Sequence, residues 1–299
     1  MRPISVVISS LRPERLEKVI DSTEMHSDLV EVVVASPIPP RPRNFVKHVP
    51  VPPPGGSNEL SWSQKNNLAV QQASGEYIVF NNDDIHFRSG WAPALLRHMK
   101  ESQHKKRPYL TAFHIATKGR IGNRYTVFGF LYPNHGCIQK NDLLRVGGTL
   151  FDERLWLGYN DVDLGLRVWF AGGEIDLCSD IILDADRDKP HPVTNPYRTR
   201  YYDRDAATFI KIWFPRYFWK FVWHYRQIRS FFSSDDGVLP PCRQNSGAMR
   251  ELVYPFFMVK FLKSIGLKNW SYTRLQTNRL ARIVNRRWYQ SQYQVPYNY

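Results

Sequence analysis

The chain has 299 residues, of which 42% are hydrophobic, 14% aromatic and 23% charged; that supports a sizeable core and argues against wholesale disorder. With only 17 glycines and no sustained heptad pattern, collagen-like and coiled-coil architectures are excluded. The net charge of +14 is concentrated at one end: residues 209–299 hold 15 Lys and Arg against Asp235, Asp236 and Glu251, whereas residues 1–208 hold 26 against 24 acids.

Of the 42 aromatic residues, 22 also fall in the last 91 positions. The composition therefore divides the chain into a nearly neutral body, 1–208, and a basic, aromatic-rich region, 209–299. Cys137, Cys178 and Cys242 are widely separated with no CxxC pair, which reads as reduced thiols of a cytosolic protein, with neither a disulfide framework nor a zinc site. The N-terminal MRPISVVISSLRPER lacks a long apolar leader segment, and no run of about 18 uncharged apolar residues is present. The expectation is a cytoplasmic chain, or one lying on a membrane face.

In chain order, Ile4–Ser9 (ISVVIS) is a β-branched run with little alternation, the pattern of a strand buried on both faces of a parallel sheet. Pro13–Ser22 has helical spacing through Leu16, Val19 and Ile20. Leu29–Ala35 (LVEVVVA) reads as a second buried strand. Eight prolines between Pro37 and Pro54 exclude helix and suggest an extended connection around a short strand, Phe45–His48. Gly55-Gly56-Ser57-Asn58 is expected to open a helix running to about Ala73, with Gly75 ending it before the strand Tyr77–Phe80. Strands alternating with helices point to a doubly wound α/β sheet, which binds ligands beyond the carboxyl ends of its strands.

At the end of Tyr77–Phe80 stands Asn81-Asn82-Asp83-Asp84. Two adjacent carboxylates leaving a buried strand repel each other and lose solvation. A divalent cation with a preference for hard oxygen ligands, Mg²⁺ or Mn²⁺, relieves both penalties; a plain turn is the alternative, since Asn and Asp are common turn formers. A second acidic cluster lies in Phe151–Asp176 (FDERLWLGYNDVDLGLRVWFAGGEID). There Asn160 is expected to cap a helix, Asp161 and Asp163 fall in its first turn, and Gly172-Gly173 stops it after Ala171. Acids in a first turn also complement the helix dipole with no catalytic role.

Taken together, the N-terminal strand, GEYIVFNNDD and LLRVGGTLFDERLWLGYNDVDLGLRVWFAGGEI resemble the inverting, family-two-like nucleotide-sugar glycosyltransferases of the GT-A fold, over roughly residues 3–215. The resemblance implies a GT-A, Rossmann-like mixed sheet with a nucleotide-sugar half at about 1–100 and an acceptor half at about 101–208. It gives Asn82-Asp83-Asp84 the place of the DXD-type motif, with Asp84 holding Mn²⁺ or Mg²⁺ and the donor diphosphate, and Asp83 near the ribose or the metal's water shell. Asn160-Asp161 matches the family's Glu-Asp pair, so Asp161 inherits the role of general base, with Glu153 in reserve. Ser9 and Arg12 stand where the first strand meets the nucleotide, Asn67 matches an Asn preceding the Gly-Glu-Tyr strand, and His191 lies where some relatives place a further metal ligand.

The sequence departs from the family at Ala35-Ser36, where an Asp usually reads the base, leaving UDP, GDP and dTDP open as donors, with UDP first. The QxxRW motif and membrane helices of processive synthases are absent, which implies addition of a single sugar to a glycan or lipid-linked acceptor. Lys65, Arg88 and Arg167 read as phosphate or acceptor contacts, or as solvated and salt-bridged groups. Trp156 and Tyr159 read as an acceptor-stacking surface or as packing.

In the C-terminal region, Phe209–Phe232, Tyr254–Leu267 and Leu275–Trp288 mix bulky aromatics with Lys and Arg at helical spacing. Basic amphipathic helices of this kind suit an anionic membrane surface or a bundle packed on the body. Two other readings of the whole chain stand beside the enzyme: a catalytically inactive sugar-nucleotide or glycan binder, and a nucleic-acid-binding protein acting through the basic region.

Overall fold

The computed structural model describes residues 2–102, 107–117, 120–122, 124–127, 130–186, 201, 204–209, 212–213 and 232–235. His191, Cys242 and the expected helices Tyr254–Leu267 and Leu275–Trp288 lie outside the described residues.

The first half runs β1 (Ile4–Ser9), α1 (Pro13–Thr23), β2 (Val30–Ser36), β3 (Val46–Pro50), α2 (Trp62–Gln72), β4 (Tyr77–Asn81), β5 (Ile85–Phe87) and α3 (Trp91–Ser102). The second runs β6 (Tyr109–Thr117), β7 (Arg120–Gly122), β8 (Arg124–Val127), β9 (Phe130–Leu131), β10 (Gly136–Gln139), α4 (Lys140–Arg145), α5 (Asn160–Phe170), β11 (Glu174–Ala185) and β12 (Phe232–Asp235). The main sheet has the order β3-β2-β1-β4-β10-β6-β11-β5, with β7 pairing off β6. Strands β3, β2, β1 and β4 are mutually parallel. Strand β10 is antiparallel to both β4 and β6, while β11 runs parallel to β6. The result is the expected mixed, doubly wound α/β sheet.

Period-two alternation explains why helices cover both faces. In β1, Val7 joins a cluster with Ala69 of α2, Leu143 of α4 and Val162 and Leu166 of α5. Its neighbours Val6 and Ile8 point the other way, toward Leu16, Val19 and Ile20 of α1 and Trp91, Leu95 and Met99 of α3. Every residue of β1 is buried, as a two-faced apolar run requires.

Helix α2 begins at Trp62, later than the Gly55–Asn58 expected from sequence. Gly55 is in the left-handed region, at φ 84°, and glycine is a poor helix former. The start is fixed instead by a capping box: the Gln64 backbone N–H donates to Ser61 Oγ at 3.0 Å, and the Ser61 N–H donates to Gln64 Oε1 at 2.9 Å.

Helix α5 also starts one position from expectation. Tyr159 is the cap, in the left-handed region at φ 65°, while Asn160 is already helical and accepts from Ser63 Oγ at 2.8 Å. The helix ends at Phe170, with Ala171 as cap and Gly172 at φ 75°, as the Gly-Gly stop requires. Gly165 lets α5 approach its neighbour, because a Cβ there would lie 2.7 Å from Tyr132 Cβ.

Of the C-terminal region, Phe209, Ile212 and Trp213 are buried in the core that contains α5. Phe232 begins a strand, where sequence spacing suggests the end of a helix: Phe232–Asp235 pairs antiparallel with β8. The sheet edge offered by β8 supplies backbone partners that an isolated helix end lacks.

Candidate active site

Strands β1 and β4 are hydrogen-bonded neighbours, and both point their carboxyl ends at the same place. The chain leaves β1 as Ser9-Ser10-Leu11-Arg12 and leaves β4 as Asn82-Asp83-Asp84. These residues line one pocket with Leu60, Trp62 and Lys65 from the start of α2, and with Trp156 and Leu157 from the loop before α5. Ser9, Arg12, Asp83 and Asp84 are thus brought together in one pocket lining.

Within the pocket the two carboxylates have different partners. Asp83 is buried, and both its oxygens are engaged. Ser10 Oγ donates to Oδ2 at 2.6 Å, Arg12 Nε donates to the same oxygen at 2.9 Å, and Arg12 Nη2 pairs with Oδ1. The turn after β1 is made for this, because the Arg12 backbone N–H donates to Ser10 Oγ at 2.9 Å. Asp84 is more open, with its Oδ2 at 3.6 Å from Arg12 Nη2 and 4.0 Å from Arg15 Nη1. Ser9 Oγ accepts from Asn66 Nδ2 at 2.9 Å, which ties β1 to α2.

Asp84 is therefore the pocket carboxylate with oxygen surface left for a ligand. No group of three His, Cys, Asp or Glu among the described residues could by itself cage a metal. That donor set fits Mg²⁺ or Mn²⁺ of the kind held by one or two carboxylates together with substrate phosphates, with water completing the shell.

The other sequence-derived residues sit outside this lining. Asn67 is a structural tie: its Nδ2 donates to Phe151 O at 2.9 Å and to Glu153 Oε1 at 3.0 Å, and its Oδ1 accepts from the Phe151 N–H at 3.0 Å. Glu153 is exposed at that tie. Asp161 lies in the first turn of α5, four positions after the pocket residue Leu157. Although it keeps some accessible surface, desolvation pushes its carboxyl up to about 7, against hydrogen bonds from backbone N–H groups including that of Val162.

Each remaining alternative resolves. Arg88 is exposed and paired with Asp184. Arg167 is 1% exposed and wholly internal. Its Nε pairs with Asp163 at 2.8 Å, and its terminal nitrogens donate to the carbonyls of Val146, Thr149 and Leu150 at 2.8, 2.9 and 2.6 Å. Tyr159 is 6% exposed and stacks on Phe209 at 5.1 Å, so it packs. Trp156 does line the pocket, and its indole stacks on Tyr201 at 4.6 Å and 14°.

What sequence reasoning missed is how the loop before α5 is held. Asp205, fully buried, accepts three consecutive backbone N–H groups, from Trp156 at 2.9 Å and from Leu157 and Gly158 at 2.7 Å each. On the other side, the Trp62 N–H donates to Trp156 O at 2.9 Å, and Ser63 Oγ donates to Leu155 O. Trp213 Nε1 donates to Asp163 Oδ1 at 2.8 Å. Ser10 and Trp62 were also missed. The Ser61-x-x-Gln64 capping box is the signal that would have placed Trp62 and Lys65 on one helix face, three residues apart; nothing local marks Asp205.

No family model matches the sequence, and no curated protein matches it. Solved structures similar in fold include S. aureus TarS 1–349 in complex with UDP-GlcNAc, at 15% identity and a TM-score of 0.47, covering 65% of this chain and 61% of that one. A longer S. aureus TarS structure is 13% identical with a TM-score of 0.47, covering 97% of this chain and 55% of that one. A further S. aureus TarS 1–349 structure is 14% identical with a TM-score of 0.46, covering 100% and 93%. The chain thus spans about three fifths of the first of these structures, and the likeness is one of fold alone.

Proposed function

We propose that the chain is a metal-dependent, inverting glycosyltransferase that moves one sugar from a nucleoside diphosphate sugar to a hydroxyl of a glycan or lipid-linked acceptor. The observation that carries this reading is the open Asp84 carboxylate beside Arg12, in a pocket at the carboxyl ends of β1 and β4. That is where a doubly wound sheet binds its ligand, and the motifs around it resemble those of the GT-A glycosyltransferases.

In this mechanism Ser9 and Arg12 contact the nucleotide portion, and Asp83, charge-paired with Arg12 and hydrogen-bonded by Ser10, fixes the turn that presents Asp84. Asp84 holds Mn²⁺ or Mg²⁺, which when bound stabilises the negative charge of the departing diphosphate as a Lewis acid. Asp161 takes the proton of the attacking hydroxyl as the new glycosidic bond forms opposite the leaving group. A carboxyl raised to about 7 is a stronger base than an ordinary carboxylate and is substantially ionised near neutral pH, which suits that step. Trp156 offers an aromatic face at the pocket rim for the acceptor or donor sugar.

The test is a panel of UDP-, GDP- and dTDP-sugars with and without Mn²⁺, read as thermal shift and as release of nucleoside diphosphate, on wild type, Asp84→Ala and Asp161→Ala. The expected result is one selective nucleotide with a metal-dependent shift lost in Asp84→Ala, and turnover lost in both variants with folding intact. Full turnover in both variants refutes the proposal.

A further inference from the structure

Lys65 lines the pocket yet is only 5% exposed. It sits on α2 three residues after Trp62, so both side chains project from the same helix face toward the cavity. Among the described residues no hydrogen bond or ion pair reaches its ammonium group; Glu59 acts on it only as a nearby charge. Arg12 and Arg15, by contrast, already have carboxylate partners: Arg12 is bonded to Asp83, and both flank Asp84. Next to Lys65, Asn66 holds Ser9 through Nδ2 while its Oδ1 is buried with no partner. A nearly buried cation whose one counter-charge, Glu59, makes no direct contact with it is costly, and an anion in the cavity reduces that cost.

We propose that Lys65 is the phosphate-binding cation of this pocket, its ammonium donating to a non-bridging oxygen of the diphosphate of a bound nucleotide. The proposal rests on the nucleotide-sugar reading for the identity of the ligand, but the anion site itself stands on Lys65. Burial lowers the ammonium pKa, and a bound phosphate restores the charged form, so binding and protonation of Lys65 reinforce each other. Because Lys65 and Asp84 are separate groups, part of the diphosphate affinity is independent of the divalent cation.

Trp62 and Trp156 line the same pocket and provide a fluorescence signal. The experiment titrates inorganic pyrophosphate and, separately, UDP, GDP and dTDP into wild type, Lys65→Met and Lys65→Arg, in EDTA and in Mn²⁺. Wild type is expected to bind pyrophosphate in EDTA, Lys65→Met to bind it about tenfold or more weakly, as for loss of one charge-assisted hydrogen bond, and Lys65→Arg to retain most of the affinity. Thermal denaturation of unliganded Lys65→Met is expected to be unchanged or improved, since an unpaired buried charge has been removed; this separates a binding role from a structural one. Equal pyrophosphate affinity in wild type and Lys65→Met, or none in wild type, overturns the proposal. Lys65-dependent binding of pyrophosphate with no nucleotide bound supports the anion site and overturns the nucleotide-sugar reading. Metal-dependent nucleotide binding that ignores Lys65 does the reverse.

Discussion

Replacing Asp205 tests how the pocket wall is built. Its carboxylate is fully buried and takes the N–H groups of Trp156, Leu157 and Gly158 within 2.7–2.9 Å. In Asp205→Ala the Gly158 amide is left buried without an acceptor, at a cost of about 1–3 kcal/mol, while the two half-buried amides recover part of their loss from water. The charge-assisted character of all three bonds raises the total. Removing a buried carboxylate also removes its desolvation penalty, which offsets part of it. The net expectation is about 3 kcal/mol of lost stability, or roughly 6–12 °C in midpoint for a chain of this size. Asp205→Asn keeps the shape but turns one acceptor into a donor facing an N–H, and is expected to lose about half as much. Urea denaturation gives the stability; nucleotide titration and turnover give the site. Stacked on Tyr201 and lining the pocket, Trp156 should gain mobility, so turnover is expected to fall more than nucleotide affinity does. A loss below about 0.5 kcal/mol in Asp205→Ala, the range of an ordinary surface change, would refute the account of the loop.

Asp161→Asn is expected to abolish turnover while raising stability at pH 8. The folded carboxyl, at about 7, holds its proton to higher pH than the unfolded one, so wild type loses stability as pH rises from about 4 to 7, by at most about 4 kcal/mol; the Asn variant lacks that slope in paired denaturation curves. Wild-type turnover should climb through pH 7 and level off above it. His98 gives the next pH test: its hydrogen bond to Asp176, then its interaction with Cys178, raises its pKa to about 10. The stabilisation is complete below about 6.5 and is lost as pH rises toward 10, so wild type should weaken over that window and His98→Gln should not. Arg167→Met leaves Asp163 buried beside three freed carbonyls and is expected to cost about 3–5 kcal/mol, read as a lower denaturation midpoint with little soluble protein.

The elements carrying the candidate nucleotide site were legible because burial on two faces writes itself into a short sequence. Ile4–Ser9, Leu29–Ala35 and Tyr77–Phe80 have no other plausible fate, and the residues that follow them are delivered to the ligand end by the sheet itself. What was not legible depends on partners distant in sequence. Lys65 and Arg167 look alike as exposed or paired cations in the sequence, yet one is an unpaired pocket cation and the other an internal clamp on three carbonyls. Asn67 keeps its place in the motif but serves the loop at Phe151. Tyr159 takes a left-handed conformation that few would assign to a tyrosine, because its ring is held against Phe209.

The position of β4 in the sheet has a consequence for synthesis. Strands β1 to β4 come from the first 81 residues, but the other neighbour of β4 is β10, Gly136–Gln139. A nascent chain that has folded its parallel half therefore exposes the apolar edge YIVF, with unpaired backbone groups, until β10 emerges. Such edges recruit other chains unless charges guard them. Asp84, more open than Asp83 and standing where that edge ends, is the charge the body offers there before β10 emerges, so one carboxylate that lines the pocket also borders the edge awaiting its last neighbour.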